Sequence, residues 1–526
     1  MNKIIPLDIE AIKEIGVEKW QKDYYWPISD KLYTKVIDKL WDEFDEICRH
    51  INPVLNDVLL SDTKFISFIA SFIHCHIVKS ACEKEGLIII SHQLSKVYLD
   101  PDWEALSDIY CIPNNKIKRS ELQLKRLLKR TLHNRHLSLF LNIFGLFRRS
   151  NTWSLGSFSE IKDVYIKKHN LYCDHHYVEL ILSGDMPSVN ATKINDLVEP
   201  IERFLHNLSI YCETLFYFKM PIYEIKRCWL KRLTCMMQIY TFIQKKKSIP
   251  KLLLLTEVAK PTHKVIALAV QSKGGKVVGF THGNNIGNLN RRLQGYNEYS
   301  HCNVYICPTE KSKELRQNEF KSNQLCNYRL TQFQSIELNQ YKDIFDSSNI
   351  QQSVEYVRTV MIIGYPLTTI RYQYSAADYF YFQLDLELRL AKLLKSNGYK
   401  VIYKAHPDTV DRVGGIFDNI VDEVLISPFE QTYQSADVLF FGCLTSTTFG
   451  YAVNTNKPIY LVDTEGQYWN NGVYDLIKKR CTLIKSNFNQ YNRLIFNEDC
   501  ILKKLKEKQL EPNYEYVQKL MFPIGS

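Results

Sequence analysis

Residues 357–462 alternate continuous apolar strands with helical segments, a pattern that few folds accept. Strands are expected at 357–363, 400–404, 423–426, 437–441 and 458–462, and helices at 379–396, 429–435 and 446–453. Within 379–396, Leu384, Leu388, Leu390, Ala391 and Leu394 recur at helical spacing, and Gly398 supplies the stop. Strands that are apolar along their whole length must be covered on both faces. Alternating with helices, they predict an α/β domain built on a parallel sheet.

A second α/β region precedes this one. Strands are expected at 251–256, 276–280 and 303–307. The helix between the first two, at 261–271, opens on Pro261 and is stopped by Gly274-Gly275. Further upstream, a long apolar helix at 64–85 ends at Gly86 and is followed by a strand at 87–91. The expected fold class is therefore α/β, with two Rossmann-like parallel-sheet domains and helical additions in the N-terminal half. The expected boundaries are 1–345 for the N-terminal domain, with a helical insertion around 110–150, and 355–500 for the C-terminal domain. Residues 501–526 form a helical tail expected to pack back on the N-terminal domain. The polar stretch 343–353 is the candidate linker.

The length of 526 residues also exceeds what one core supports. Hydrophobic residues make up 45% and charged residues 24%, values usual for a globular chain. The 33 tyrosines would suit sugar-stacking surfaces, but an AT-rich genome explains them better. The net charge of +10 fits anionic substrates, a membrane surface or nucleic acid. No Lys/Arg tail, zinc-finger spacing or RNP-like pattern is present, so no nucleic-acid partner is expected. The 14 cysteines contain no CxxC pair, which argues against structural zinc and a disulfide framework and for a reducing compartment. No signal peptide and no membrane-spanning run are read, and a cytoplasmic location is expected. Residues 116–149 combine a basic stretch, Lys116 to Arg135, with the apolar run Leu137 to Phe147. A core helix with a solvated basic face is the favoured reading. The other is peripheral contact with lipid headgroups.

In open parallel sheets, ligands bind outside the carboxyl ends of the strands. Three C-terminal segments fall there. Lys404-Ala405-His406-Pro407 follows the second strand, and its Pro biases His406 toward an extended backbone. The imidazole could donate to a phosphate oxygen, and Lys404 adds charge. Thr445-Ser446-Thr447-Thr448 opens the helix after the fourth strand. One hydroxyl would serve as a cap, whereas four also suit an anion. Gly364 follows the first strand, where a glycine lets backbone come close to a ligand. Glu430, at the start of its helix, could accept ribose hydroxyls or simply answer the helix dipole.

The N-terminal half supplies a facing wall. Thr281-His282-Gly283-Asn284 follows a strand and reads as a polar acceptor-side loop. Glu257 ends the 251–256 strand and is a candidate general base, with His282 as a second catalytic candidate. Asp174-His175-His176 is a rival base or metal cluster. It lacks an evident third ligand, so no metal is expected. Asp185, in Ser183-Gly184-Asp185, is a further carboxylate that a turn would explain.

Together these motifs resemble a GT-B glycosyltransferase. The series Lys404–Pro407, Glu430, Ser435-Ala436-Asp437, Thr445–Thr448 and Asn456-Lys457-Pro458-Ile459 is similar to that of bacterial surface-carbohydrate transferases. These are the capsule Kdo transferases, the HP-motif sialyltransferases and the CDP-glycerol polymerases. Thr281-His282-Gly283, with Gly287 and His301, is similar to the Q-H-G segment of surface-polysaccharide transferases, with Thr in place of Gln. The resemblance spans roughly 250–485 and implies two domains facing across a cleft. It implies that His406 and Ser446-Thr447-Thr448 contact nucleotide phosphates. It also implies a CMP-linked donor sugar such as CMP-Kdo, a glycan or lipid-linked glycan acceptor at the inner membrane's cytoplasmic face, and no cofactor beyond the nucleotide sugar. The acidic-acidic-Gly base motif of the sialyltransferases is not evident. Polyol-phosphate transfer from CDP-glycerol or CDP-ribitol, a non-catalytic nucleotide-sugar-binding subunit and a GT-B epimerase are the alternatives.

Overall fold

The computed structural model describes residues 3–49, 51–110, 150–183, 191–281, 287–290, 292–322, 330–336, 338, 345–346, 356–368, 379–444, 446–509 and 511–521. The basic stretch at 116–149, Asp185, the loop His282-Gly283-Asn284, and Thr445 lie outside these residues. So does most of the 343–353 segment, although Phe345 is described and packs on Tyr514 with ring centroids 4.7 Å apart.

Two short strands, β1 (Ile4–Pro6) and β2 (Ile88–Ile90), pair in parallel as a small separate sheet. The strand expected at 87–91 thus exists but joins the N-terminus rather than a main sheet. Six strands form the first large sheet: β3 (Thr152–Leu155), β4 (Cys173–His175), β5 (Leu252–Leu255), β6 (Lys276–Phe280), β7 (Val304–Cys307) and β8 (Gln332–Ser335). All pair in parallel, in the order β4-β3-β5-β6-β7-β8. The second sheet holds β9 (Thr359–Ile363), β10 (Lys400–Lys404), β11 (Glu423–Leu425), β12 (Val438–Phe441), β13 (Ile459–Thr464), β14 (Thr482–Phe488) and β15 (Leu494–Phe496). Its order is β11-β10-β9-β12-β13-β14-β15, parallel except for the antiparallel last pair.

Both orders reverse direction once. The first sheet follows the flavodoxin-like order and switches between β3 and β5. The second follows the classical Rossmann order and switches between β9 and β12. At such a point the neighbouring loops leave toward opposite faces and a crevice opens between them. The protein is thus α/β, with two mostly parallel, Rossmann-like sheets.

Helices fill the N-terminal half around the first sheet. Asp30–Arg49, Thr63–Glu85, Val198–Phe216 and Ile222–Gln244 meet through Phe44, Phe65, Phe204 and Trp229. A buried ion pair joins them: Arg232 Nε and Nη2 each donate to Asp62 at 2.7 Å, and Nη1 donates to the Leu106 carbonyl. Thr63–Glu85 is the described helix long and apolar enough to cross a membrane, but most of it is buried inside the protein. The described cysteines are free thiols, buried except Cys500.

Among the described residues, three groups of contacts join the two halves. From Phe380 to Leu388 the helix Phe380–Ser396 is buried on every side, because it covers its own sheet and also receives the N-terminal segment, while Lys392 and Ser396 toward its end are exposed. Trp26 packs on Tyr381 and Tyr379, Tyr381 Oη donates to the Tyr25 carbonyl, and Tyr379 Oη to that of Leu7. Asp385 of this helix is fully buried and accepts from Arg493, Arg389 and Gln21 at 2.6–3.2 Å. Second, the loop after β6 pairs with the loop after β13 in an antiparallel bridge, Leu289 to Trp469. Asn290 N–H donates to Tyr468 and Asn470 N–H to Asn288 on either side of it. Third, the terminal helix Glu515–Leu520 reaches back to the first sheet's loops, where Tyr516 Oη donates to Asn288 and Thr309 Oγ1 to the Leu520 carbonyl.

Removing Asp385 strands two guanidinium groups that lose their shared counter-ion. Asp385→Ala should lower unfolding free energy by about 3 kcal/mol, read from urea denaturation. A change under about 1 kcal/mol would show the cluster to be energetically idle.

Candidate functional site

The switch crevice of the second sheet lies between the segments that follow β9 and β12. Gly364 closes β9, and its N–H donates to the Lys404 carbonyl. A Cβ there would sit 2.3 Å from Tyr403 Oη, so the glycine is demanded by that ring rather than by a ligand. Gly442 closes β12, and a Cβ there would meet Gln383 Oε1 at 2.4 Å. The crevice is floored by two polar residues of the Phe380–Ser396 helix, Gln383 and Glu387, both buried.

Glu387 is the residue that sequence patterns do not reveal. Its carboxyl accepts from the Tyr365 N–H at 2.7 Å and from Tyr403 Oη at 2.9 Å. Burial pushes its pKa up to about 8, against those two donors, which favour the charged form. The signal in the sequence is the string of polar residues Gln383, Asp385 and Glu387 set between aromatic residues and leucines.

The sequence-predicted donor-side residues lie at adjacent strand ends. His406 follows β10, and its Nδ1 accepts from the Asp408 N–H at 3.2 Å. The neutral ring therefore carries its proton on Nε2. Pro407 begins the short turn Pro407–Arg412, and Thr409 Oγ1 accepts from the Leu367 N–H, which ties the loops after β9 and β10 together. Lys404 is buried, and its ammonium donates to the Ala405 carbonyl at 2.7 Å. Desolvation lowers its pKa, while the charge of exposed Glu430, beyond β11, opposes that shift. Ser446 caps the helix Thr447–Ala452, its Oγ accepting from Phe449 N–H at 3.1 Å. That hydroxyl is engaged by the protein. Thr447 is exposed and Thr448 half-buried beside it.

Glu257 sits at the switch point of the first sheet, beside the end of β3. Its backbone is left-handed, with φ +57°, a conformation that costs energy for any residue with a Cβ. Gly156, across the crevice at φ +87°, has no alternative: a Cβ would lie 2.4 Å from the Thr256 carbonyl. Partial burial pushes the Glu257 pKa up, but the hydrogen bond and charge of Lys260, then His263 and Ser157, outweigh it and hold the carboxyl below its usual value. His263 Nδ1 lies 3.2 Å from the Glu257 carbonyl. Burial first, then Lys260, pushes that imidazole down to about 4.

The remaining sequence candidates are held within the fold. Asp174 and His175 lie on β4 with His176 just beyond, all three buried. His176 is stacked on Trp153 at 4.1 Å and lies 3.4 Å from Asp174. No group of ligating side chains suited to a metal occurs among the described residues. His301 is buried, its two ring nitrogens 2.8 Å from Ser300 Oγ and 3.0 Å from the Asp57 carbonyl.

No protein-family model matches the chain, and no curated protein matches it.

Glu387 links the crevice to pH. The native state holds its proton up to about pH 8, whereas an unfolded Glu releases it near about 4.3. Between these values unfolding releases a proton, so this group's contribution to stability falls as pH rises from about 5 to about 8. Glu387→Gln keeps the shape and loses the titration. The wild-type stability relative to this variant should decline over that window and then level off, as read from denaturant midpoints. Parallel curves would show that Glu387 is ionised throughout.

Proposed function

We propose that the protein is a glycosyltransferase of the GT-B kind, which takes a sugar from a nucleotide donor and passes it to a bacterial surface glycan or its lipid-linked precursor. A CMP-linked sugar, Kdo or a relative, is the first donor to try. The reading is supported by one observation: the loops that follow β6 and β13, one from the carboxyl end of each doubly wound sheet, are bridged at Leu289 and Trp469. A ligand spanning two switch crevices is what that arrangement suits.

In this reading the nucleotide phosphates lie at the β9/β12 crevice. His406 donates from Nε2 to a phosphate oxygen, and backbone N–H groups around Ser446-Thr447-Thr448 contribute further donors. These groups stabilise the leaving phosphate as the anomeric carbon–oxygen bond breaks. Glu257 faces the acceptor and takes its hydroxyl proton as that oxygen attacks. The Lys260 pairing makes Glu257 a weak base, so the acceptor must displace the lysine to raise its basicity. The reaction takes place at the cytoplasmic face of the inner membrane in this reading, with no cofactor besides the nucleotide sugar.

A thermal-shift series with CMP, CDP, UDP and GDP tests the donor site. A cytidine nucleotide should raise the midpoint in a concentration-dependent way, and no shift with any of the four would remove the proposal. His406→Ala should fold normally and lose at least about a hundredfold in transfer. Near-normal turnover would sink its role. Glu257→Gln should keep the nucleotide shift and lose transfer, and retained transfer would reject it as base. Mass analysis of the product separates a sugar from a polyol phosphate.

A further inference from the structure

Glu387 lies where the two halves of the second sheet part. Its Oε1 accepts from the Tyr365 N–H at the exit of β9. The same oxygen is 3.9 Å from where a Cβ would stand on Gly442, at the exit of β12. Its Oε2 accepts from Tyr403 Oη, which lies under Gly364. The carboxyl thus sits, fully buried, beneath both strand ends that flank the switch crevice.

The groups that face it are neutral. The loop after β9 brings Tyr365, β10 brings Tyr403, β12 brings Gly442, and Gln383 stands one turn back on the same helix. Asp385 is turned away toward Arg493 and Arg389. Lys404 follows Tyr403 on β10 and so projects from the other face of the sheet, where it donates to the Ala405 carbonyl and feels the charge of Glu430. Among the described residues, no ammonium, guanidinium or imidazole answers the Glu387 carboxyl. A carboxylate buried without a counter-ion is costly, and the group keeps its proton instead.

That proton matters to any anion above the strand ends. While Glu387 is neutral, the floor of the crevice is uncharged, and donors such as His406 Nε2 act on the anion unopposed. Once Glu387 ionises, two negative charges share a site partly withdrawn from water, where repulsion is several times stronger than in bulk solvent.

We propose that Glu387 sets the charge of the β9/β12 crevice: the site admits a phosphate-bearing ligand while this carboxyl is protonated and rejects it once ionised, so that above neutral pH the anion binds together with a proton from solvent. The inference rests on the placement of the donor phosphates at this crevice. Glu387 acts through its charge and is a specificity-determining residue rather than a catalytic one.

Titration calorimetry of the full chain with CMP, from about pH 7 to about pH 9.5, tests it, because the CMP phosphate is fully ionised over this range. Affinity should be steady at neutral pH and fall above about pH 8 by up to about tenfold per pH unit, the slope of one linked proton. Runs at about pH 9 in two buffers of different ionisation enthalpy should show most of one proton taken up per CMP bound. Glu387→Gln should abolish this part of the fall and of the uptake, leaving only what the titration of Lys404 adds. Tyr403→Phe removes a donor that favours the ionised form and should move the fall to higher pH. It decides the matter if Glu387→Gln fails to fold. The same pH profile in the wild type and in the variants that fold would overturn this inference and leave the donor assignment standing. If CMP does not bind even at neutral pH, the cytidine-nucleotide assignment falls and this inference falls with it.

Discussion

The helix Phe380–Ser396 can bury every residue from Phe380 to Leu388 because Asp385 and Glu387 are each answered by donors. Gln383 and Glu387 are four positions apart and share a face. That face lies under Gly442, Tyr365 and Tyr403, and so under the switch crevice. Asp385, midway between them, points the other way and gathers Arg493, Arg389 and Gln21. One helix therefore carries both the floor of the crevice and the charge that fastens the N-terminal segment. The aromatic residues at its start, Tyr379, Tyr381 and Phe382, pack against Trp26 and complete that junction. Whatever disturbs the junction is transmitted to the crevice through a rigid element less than six turns long.

Three cations near the strand ends are already paired with groups of the protein. Lys404 donates to a carbonyl, Lys260 pairs with Glu257, and Lys485 pairs with Asp463. The net charge of +10 is thus a poor guide to where an anion would sit. In the proposed reading, recognition of phosphate at the β9/β12 crevice is left to an imidazole and to backbone N–H groups. Such donors are fixed by the fold and need no reorganisation as charge develops.

The second sheet was legible because its inner strands are apolar from end to end, as in Val438–Phe441 and Ile459–Thr464 with its leading Ile-Tyr-Leu-Val. The edges were not. Gln332–Ser335 reads as loop by composition, and Thr482–Phe488 alternates polar with apolar because one side of it is open. His406 and Ser446 could be picked out because each combines a reactive side chain with a strand end nearby in sequence. Glu387 could not, since helical periodicity shows which face is apolar but not that the opposite face is covered too. Nor does composition reveal that Glu257 adopts a left-handed backbone, or that Gly364 answers a tyrosine from the next strand.

The bridge between Leu289 and Trp469 also limits how the two sheets can move. Drawing the carboxyl edges straight apart would break it together with the flanking bonds Asn290 to Tyr468 and Asn470 to Asn288, and that from Asn470 Nδ2 to the Gly287 carbonyl. A twist about the bridge would keep all of them. It would still have to carry the junctions of Tyr381 with Tyr25 and of Tyr516 with Asn288, so the two sheets are fastened at more than one place rather than hinged at a single pin.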